Sequence, residues 1–448
     1  MDIGILCKKN KNCIIPIFIF LLLTFFRTIN QVPTFDESHA WVVAKALNLS
    51  NWIYISKIEG HPLLWYLVLK PFTYFRILYP YSMMLINYFF CIASIFILWN
   101  NSPFSNLMKI GITFSAMYIF KLSVFSRGYA LGVFLIFLIC AYRREIIKKS
   151  YCYSLILMIA LNVNIMCSIG VSWFVAEFFI KIIKSSFSTI KKLLLLLPPS
   201  LGGLLLVYPY LNGYGTEISS GISNIGPKFL VSFFTHPANF LLSAYSIVLL
   251  LLLFKIKGFW LKTFVLYTNI MMVTLFCFFY PGFYHHFMFF FIYLIVFIWI
   301  TEGENYFKEY KGINILNILM IVMLVLPINI NLELEQVLHF KYVKNPKLIV
   351  KMLNNEPKFR NSTVYLEASL YHLIPYLKED INLMNSCSLK PLTWNILTIT
   401  DCVPEHEKHI KNDGHNTFLI STKNYDTIKG EKDFIFKELY VYKIEGKR

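Results

Sequence analysis

The sequence predicts an all-α polytopic membrane bundle of about eleven transmembrane helices, followed by a small extracytoplasmic α/β domain at the C-terminus. Three observations lead to this fold class. Of the 448 residues, 57% are hydrophobic and 17% aromatic, and the excess occurs in repeated long apolar runs. The basic residues behind the formal net charge of +17 cluster in short loops between those runs. From about residue 331 charged residues become frequent, so we separate a membrane domain, 1–330, from a soluble domain, 331–448.

The first apolar run, 14–26, follows three lysines near the N-terminus and resembles a signal sequence. No small-residue cleavage site follows it, so we expect an uncleaved signal anchor whose N-terminus lies inside. The chain then emerges into a first outer loop, 27–80. Because the basic residues lie in short inner loops rather than in a water-facing patch, they suit anionic lipid, and nucleic acid is not an expected partner.

The apolar stretch at 61–79 looks long enough to cross a membrane, but two features argue that it does not. If it crossed, alternation would place the basic loop at 142–149 on the outer side, against the positive-inside rule. Lys70, Pro71 and Arg76 also interrupt the stretch, which a spanning helix would avoid. We therefore predict a helix that lies along the outer membrane face.

With that segment on the surface, every later span leaves its basic loops inside. The predicted later spans are 81–99, 107–125, 130–142, 151–165, 168–183, 193–210, 238–254, 263–280, a span ending near Ile300, and 313–327. Asn162 and Asn164 occupy the outer turn between the fifth and sixth spans. In the seventh span, two prolines and the pair Gly202-Gly203 predict a kink or a close helix approach. The glycine-rich loop at 211–237 is either a lid over an outer site or a plain connector.

The soluble region has the pattern of a small α/β layer. The predicted elements are strands at 363–367, 417–421 and 436–444 and helices at 346–353 and 370–377. Cys387 and Cys402 lie in this region, outside the cytoplasm, and the sequence leaves open whether they form a disulfide. The other cysteines lie in or beside membrane segments and are expected to be small core residues.

Asp36 and Glu37 are adjacent carboxylates just past the first apolar run, at a membrane face and next to water. A carboxylate pair in that position is a candidate for proton transfer. The alternative is a solvated loop with an ordinary acidic helix start, in which Asp36 or Ser38 is the N-cap. Spacing alone leaves both interpretations open.

The surface-helix topology gathers further polar residues on the same outer face. They are His39, Glu59, His61, Lys121, Arg127, His285 and His286. Carboxylates beside fixed cations suit an enzyme that deprotonates an acceptor while it holds an anionic leaving group such as a phosphate. Arg127 is the best phosphate ligand because a guanidinium presents a planar fork of donors; the alternative is an arginine snorkelling to lipid headgroups. The two late histidines are phosphate or metal ligands, or interfacial residues with structural hydrogen bonds.

Other patterns exclude several classes of function. The sequence has no P-loop, nucleotide-binding glycine motif or nucleophile elbow, which argues against a nucleotide-driven cytoplasmic enzyme. His406-Glu407-Lys408-His409 lacks the spacing of a zinc protease. Glu177, in the middle of the sixth span, belongs either to a proton path or to hydrogen bonds within the bundle, and we favour the second interpretation.

Three short motifs occur in order within residues 1–300. They are Asp36-Glu37, then Gly60-His61-Pro62-Leu63-Leu64-Trp65-Tyr66, then Ser126-Arg127-Gly128-Tyr129-Ala130-Leu131 at an outer helix start. Together they resemble the GT-C superfamily of membrane glycosyltransferases, in its protein-mannosyltransferase-like and lipopolysaccharide-sugar-transferase-like branches. The resemblance implies a many-span bundle that uses polyprenyl-phosphate sugars on the extracytoplasmic side, often with a soluble C-terminal domain.

By position, the resemblance assigns Asp36 as the general base or metal-facing carboxylate, Glu37 as its neighbour in the same motif, and Arg127 as the ligand of the lipid-linked phosphate. The full candidate substrate-binding set is Arg127, His61, His285, His286, Tyr129, Lys121 and Glu59. Asp36 and Glu37 would also hold a divalent cation, Mg²⁺ or Mn²⁺, if the reaction uses one. The sequence departs from the pattern in its single proline after His61, and in offering two histidines where the family often has an arginine.

The first hypothesis is a glycosyltransferase that moves one sugar from a polyprenyl-phosphate donor to a glycan, lipid or protein acceptor, with inversion. Its partners would be membrane lipid, the donor and the acceptor. The Lys-, Asn- and Ile-rich usage favours a bacterium, so we expect a multi-pass protein of the cytoplasmic membrane with its site on the extracytoplasmic side. The second hypothesis is a polysaccharide polymerase or ligase, whose main catalytic group is expected in a large later loop. The third is a transporter or flippase, which would favour several mid-membrane charges and internal pseudo-symmetry.

Overall fold

The fold is known from a computed structural model. It describes residues 14–31, 33–59, 62–75, 79–115, 117–209, 258–275, 284–303, 350, 353–366, 381–385, 417–421, 430–436 and 439–444. Several sequence predictions lie outside these residues: His61, the loop at 211–237, the spans at 238–254 and 313–327, the helix at 370–377, most of the helix at 346–353, and the pair Cys387 and Cys402.

The described chain is predominantly helical. Its α-helices are α1 Ile14–Asn30, α2 Phe35–Ala46, α3 Trp52–Glu59, α4 Leu64–Thr73, α5 Tyr81–Asn101, α6 Asn106–Thr113, α7 Tyr129–Tyr142, α8 Ser150–Leu161, α9 Ile165–Ile183, α10 Thr189–Pro209, α11 Phe259–Thr274 and α12 Tyr284–Gly303. The strands are β1 Thr363–Leu366, β2 Asn382–Asn385, β3 Thr417–Ser421, β4 Gly430–Phe436 and β5 Leu439–Ile444.

Among the described helices, three are long and apolar enough to cross a membrane: α5, α9 and α10. They match the predicted spans at 81–99, 168–183 and 193–210. Only 17% of the apolar 18-residue stretch of α10 is buried, against 61% of the corresponding stretches of α5 and α9. Leu193 and Leu204 on α10 are 64% and 65% exposed. An apolar helix with so much uncovered surface is suited to contact with lipid rather than water.

The chain divides into two compact units. The first unit comprises 1–31, 60–65 and 84–334, and the second comprises 32–59, 66–83 and 335–448. The predicted boundary at 330–331 lies beside the division at 334–335. The predicted assignment of the whole first outer loop to the membrane domain differs from this division, because most of that loop groups with the C-terminal region.

The hairpin of α8 and α9 has the turn that the sequence predicts. Asn162 is the C-cap of α8, and Asn164 is the N-cap of α9, where its side chain accepts a hydrogen bond from Cys167 N at 2.8 Å. The close helix approach predicted in the seventh span is confirmed at Gly202, where an added Cβ would lie 3.0 Å from Met158 Cα. α10 therefore packs closely on α8 through a glycine.

The predicted span at 107–125 is not one continuous α-helix, and whether this stretch crosses a membrane stays a prediction. α6 ends at Thr113, and a short π-helical segment, Met117–Leu122, follows a break. Side chains of other helices satisfy backbone carbonyls at the end of the π-helical segment: Asn87 Nδ2 donates to Leu122 O at 2.8 Å, and Thr28 Oγ1 donates to Ser123 O at 3.1 Å. Irregular backbone is tolerated in an apolar setting when protein groups satisfy it in this way.

Within the described part of the stretch at 61–79, the ten residues of α4 are helical. A helix of that length reaches ~15 Å, about half the thickness of a bilayer core. α4 is therefore too short to cross a membrane, as predicted, and its orientation along the membrane face stays a prediction.

The C-terminal strands form one mixed sheet with the order β2-β1-β3-β5-β4. β1 is parallel to β2 and β3, whereas β5 is antiparallel to β3 and β4. The predicted strands at 363–367 and 417–421 are confirmed as β1 and β3. The strand predicted at 436–444 is confirmed over 439–444 as β5, whereas Phe436 belongs to β4, which pairs antiparallel with β5. The prediction missed β2 and most of β4.

Candidate functional site

The acid pair opens α2 in the second unit. Thr34 is the N-cap: its hydroxyl accepts a hydrogen bond from Glu37 N at 3.4 Å, while Glu37 Oε2 accepts one from Thr34 N at 2.7 Å. This reciprocal arrangement is a capping box. The predicted alternative, with Asp36 or Ser38 as the N-cap, is therefore wrong in its residue, although the first turn of α2 is indeed acidic.

The two carboxylates have different surroundings. The Glu37 side chain is completely buried, and one of its oxygens is committed to the cap. Asp36 is partly exposed. Of the two adjacent acids, Asp36 is therefore the one that an incoming hydroxyl group could reach.

Behind the acid pair lies a buried hydrogen-bonded group made by α2, α3 and α4. Glu59 Oε1 lies 2.9 Å from His39 Nε2, and its Oε2 accepts a hydrogen bond from the Tyr66 hydroxyl at 2.7 Å. Glu59 is only 4% exposed. Both of its oxygens are thus held by protein groups, so its direct role here is to join the three helices, and its predicted contact with substrate stays a prediction.

A second group of candidate residues lies at the start of α7, in the first unit. The Tyr129 hydroxyl and His286 Nε2 of α12 are 2.9 Å apart. The Tyr129 ring stacks on Phe125, with centroids 5.8 Å apart and an interplanar angle of 12°. The structure therefore brings two predicted substrate-binding residues together, and both are buried. His285 lies in α12 beside His286.

Arg127 and Lys121 lie in the segment between the break and α7. Lys121 is in the π-helical segment, and its carbonyl accepts a hydrogen bond from Phe125 N at 2.8 Å. Arg127 immediately precedes Gly128, the N-cap of α7, and both basic side chains are partly exposed. They are therefore accessible cations at one end of the bundle, which is what binding of an anionic group requires.

Residues of the motif at 60–66 lie against the same end of α7. Leu64 N donates a hydrogen bond to Asn162 O at 3.3 Å, and Asn164 Nδ2 donates to Gly128 O at 3.5 Å. Trp65 packs on Gly128, where an added Cβ would lie 3.2 Å from Trp65 Cβ. Sequence reasoning did not single out Trp65 or the two asparagines for this role, because nothing in their spacing predicts these contacts.

A divalent cation has little support from these residues. Among the described parts of the chain there is no group of three or more His, Cys, Asp or Glu side chains that could hold a metal ion. One oxygen of Glu37 is already engaged in the cap. Asp36 and Glu37 alone are a poor ligand set for Mg²⁺, which prefers six oxygen ligands in an octahedron.

Comparisons with protein-family models, with curated proteins and with solved structures found no match for this chain. The described part of the chain is predominantly helical and includes three helices long and apolar enough to cross a membrane. Within it, the second unit carries a partly exposed acid on a capped helix, and the first unit carries partly exposed cations beside a buried tyrosine–histidine pair.

Proposed function

We propose that the protein is a multi-pass membrane glycosyltransferase that moves a sugar from a polyprenyl-phosphate donor to a hydroxyl of a glycan, lipid or protein acceptor. The observation that carries the proposal is the difference between the two adjacent acids: Asp36 is partly exposed, whereas Glu37 is buried and holds the helix start. A general base must be reachable by the proton that it abstracts. The resemblance of the three sequence motifs to GT-C glycosyltransferases supplies the substrate class.

In this reaction Asp36 accepts the proton of the acceptor hydroxyl while that oxygen forms a bond to the anomeric carbon. The bond between the anomeric carbon and the donor phosphate oxygen breaks, and its electron pair leaves with the polyprenyl phosphate. The resemblance to GT-C glycosyltransferases gives Arg127 the role of stabilising the charge on that phosphate, which a guanidinium can do through its planar fork of donors. Because the attack and the departure occur on opposite faces of the carbon, the product has the inverted configuration.

The membrane arrangement in this proposal is about eleven spans, with the acid loop and an α/β domain on the extracytoplasmic side. The three apolar helices, the exposed apolar surface of α10 and the basic loop between α7 and α8 support it. Cysteine labelling tests which side of the membrane each segment faces. In a cysteine-free background, Tyr74→Cys should react with an impermeant reagent added from outside, and Glu145→Cys should not. The opposite labelling would overturn the topology.

Activity is tested with purified protein and a panel of radiolabelled polyprenyl-phosphate sugars. Asp36→Asn should lower turnover by ~10²–10⁴-fold, the usual contribution of a general base. Glu37→Gln is the matched control. The glutamine amide oxygen can still accept the hydrogen bond from Thr34 N, so this variant should keep most of the activity. Equal turnover in Asp36→Asn and wild type would refute the assigned base. A ladder of long products instead of single additions would favour a polysaccharide polymerase.

A further inference from the structure

The indole of Trp65 carries a buried donor that lacks an acceptor. Trp65 is 4% exposed, and no group in the described chain accepts a hydrogen bond from its Nε1. Leaving a buried donor without an acceptor costs roughly 1–3 kcal/mol, and each such group in a native protein requires an explanation. By contrast, the indole of Trp99 donates to Thr113 Oγ1 at 2.9 Å, and that of Trp173 donates to Thr263 Oγ1 at 3.3 Å.

The start of α7 lacks a side-chain cap. Its N-cap is Gly128, which has no side chain to accept from the first turn of this fourteen-residue helix. The first backbone N–H groups of a helix have no partner within the helix, and the helix dipole adds positive potential at that end. Such a terminus attracts anions, phosphate groups in particular.

These two features adjoin each other. Trp65 Cβ and Cγ lie 3.2 and 3.4 Å from the position of a Cβ on Gly128, so the Trp65 side chain packs against the N-cap. Its nitrogen is two covalent bonds from Cγ and therefore lies near Gly128, the N-cap of α7. The bond from Leu64 N to Asn162 O at 3.3 Å fixes the backbone next to Trp65. Arg127, the residue before the N-cap, adds a full positive charge.

We propose that the Trp65 indole N–H and the N-terminus of α7 bind the phosphate group of the polyprenyl-phosphate donor, together with Arg127. The inference deepens the proposed function and rests on it for the identity of the lipid. A phosphate oxygen supplies the acceptor that Trp65 lacks and the negative charge that the helix terminus favours. These groups would recognise a phosphate group, whether it is attached to a lipid or free.

The test is equilibrium binding of a radiolabelled polyprenyl phosphate to the full chain in detergent, without sugar or acceptor. Trp65→Phe keeps an aromatic ring and removes the donor. It should weaken binding at least ~10-fold, the lower end for a hydrogen bond to a charged group. Trp99→Phe, which removes an indole donor elsewhere in the first unit, should bind as wild type does. Uncharged polyprenol serves as the folding control, and its binding should be the same in wild type and both variants.

A second variant alters the same site without replacing Trp65. Gly128→Ala places a Cβ against the indole and should also weaken binding of the phosphate but not of polyprenol. Gly203→Ala, where an added Cβ meets no atom of the described residues within 4 Å, is its control. Wild-type affinity for polyprenyl phosphate in both Trp65→Phe and Gly128→Ala would overturn the inference.

Inorganic phosphate separates the two sources of the group. If inorganic phosphate displaces the labelled lipid from the wild-type protein, the site recognises the phosphate group alone. If only polyprenyl phosphate competes, the site recognises a lipid-linked phosphate. Either result agrees with the inference when Trp65→Phe weakens binding. Failure of the two proposals is also distinguishable. Wild-type protein that binds no polyprenyl phosphate would contradict the donor and this inference together, whereas undiminished binding by the two variants would overturn this inference alone.

Discussion

The phenol of Tyr293 on α12 occupies the space that a side chain at Gly170 on α9 would fill. Its hydroxyl accepts a hydrogen bond from Gly170 N at 2.9 Å and donates one to Met166 O. The donor and acceptor at these two positions are the pair that an α-helix normally joins to each other. Tyr293 therefore inserts into the backbone ladder of α9, and only a glycine leaves room for it.

Gly170→Ala should consequently destabilise the protein. An added Cβ would contact Tyr293 Cε1 and lie 3.0 Å from Cζ, so the ring must move and its two backbone hydrogen bonds weaken. We expect a loss of about 1–3 kcal/mol, the usual cost of overpacking, despite the better helix propensity of alanine. The measurement is the thermal unfolding midpoint of the detergent-purified protein.

Gly203→Ala on α10 is the matched control for that substitution. No described residue lies within 4 Å of an added Cβ there, so we expect only the propensity gain, about 0.5–1 kcal/mol of stabilisation. The two variants should shift the unfolding midpoint in opposite directions. A shift of the same sign and size in both would show that Tyr293 does not need the space at Gly170.

Glu177 lies in a buried ion pair with Arg143, which confirms that it forms hydrogen bonds within the bundle. The Arg143 guanidinium donates to Glu177 Oε2 at 2.9 Å and to Oε1 at 2.7 Å, and both side chains are almost fully buried. Glu177→Gln should destabilise the protein by about 3–5 kcal/mol, because it leaves the charge of Arg143 buried without its carboxylate. Chemical or thermal unfolding in detergent measures the loss.

Lys181 provides the comparison for that prediction. It also contacts Glu177, at 2.9 Å, but its side chain is 38% exposed. Solvent screens such a charge, so Lys181→Gln should cost no more than ~1 kcal/mol. Equal losses from Glu177→Gln and Lys181→Gln would contradict a stabilising role specific to the buried pair.

The loop between α7 and α8 gives a prediction for pH. The side-chain hydrogen bond from Lys149, at 2.9 Å, lowers the pKa of Glu145, and the nearby charge of Lys148 acts in the same direction more weakly. Lys149→Met should raise the pKa of Glu145 towards its ordinary value, and Lys148→Met should raise it less. NMR titration of ¹³C-labelled glutamate measures both, and an equal effect of the two variants would exclude the hydrogen bond as the main cause.

The sign of the stability effect follows from the direction of that shift. The folded protein favours the charged form of Glu145, so the pair stabilises the fold above the ordinary pKa of a glutamate. The contribution disappears as the pH falls through the lowered pKa. Because both side chains are about half exposed, 46% and 48%, it should stay below ~1 kcal/mol at neutral pH.

The spans that the sequence predicted well are those with a continuous apolar run of their own. α7 was predicted within one residue, because the run 130–142 is apolar throughout and ends at basic residues. The run 107–125 is less apolar, since it contains Lys109 and Lys121, and its helix breaks after Thr113. What stabilises the irregular segment comes from distant parts of the chain, Thr28 and Asn87, and no local pattern contains that information.

The candidate site shows the same division between local and distant information. The role of Glu37 could have been predicted, because a threonine followed three residues later by a glutamate is the signature of a capping box. The contact of Tyr129 with His286 joins residues 157 positions apart in the chain, and it could not have been predicted from either motif. The unsatisfied indole of Trp65 is likewise a property of tertiary packing.

That indole also gives a prediction for stability in the absence of ligand. Trp65→Phe and Trp99→Phe remove the same ring volume from buried positions that are 4% and 2% exposed. Trp99→Phe in addition breaks the hydrogen bond to Thr113 and leaves that buried hydroxyl without its donor, whereas Trp65→Phe removes a donor that has no acceptor. Trp99→Phe should therefore destabilise the ligand-free protein more than Trp65→Phe, by about 1–3 kcal/mol. Thermal unfolding measures the difference, and an equal or larger loss in Trp65→Phe would mean that its indole nitrogen is already satisfied without a ligand.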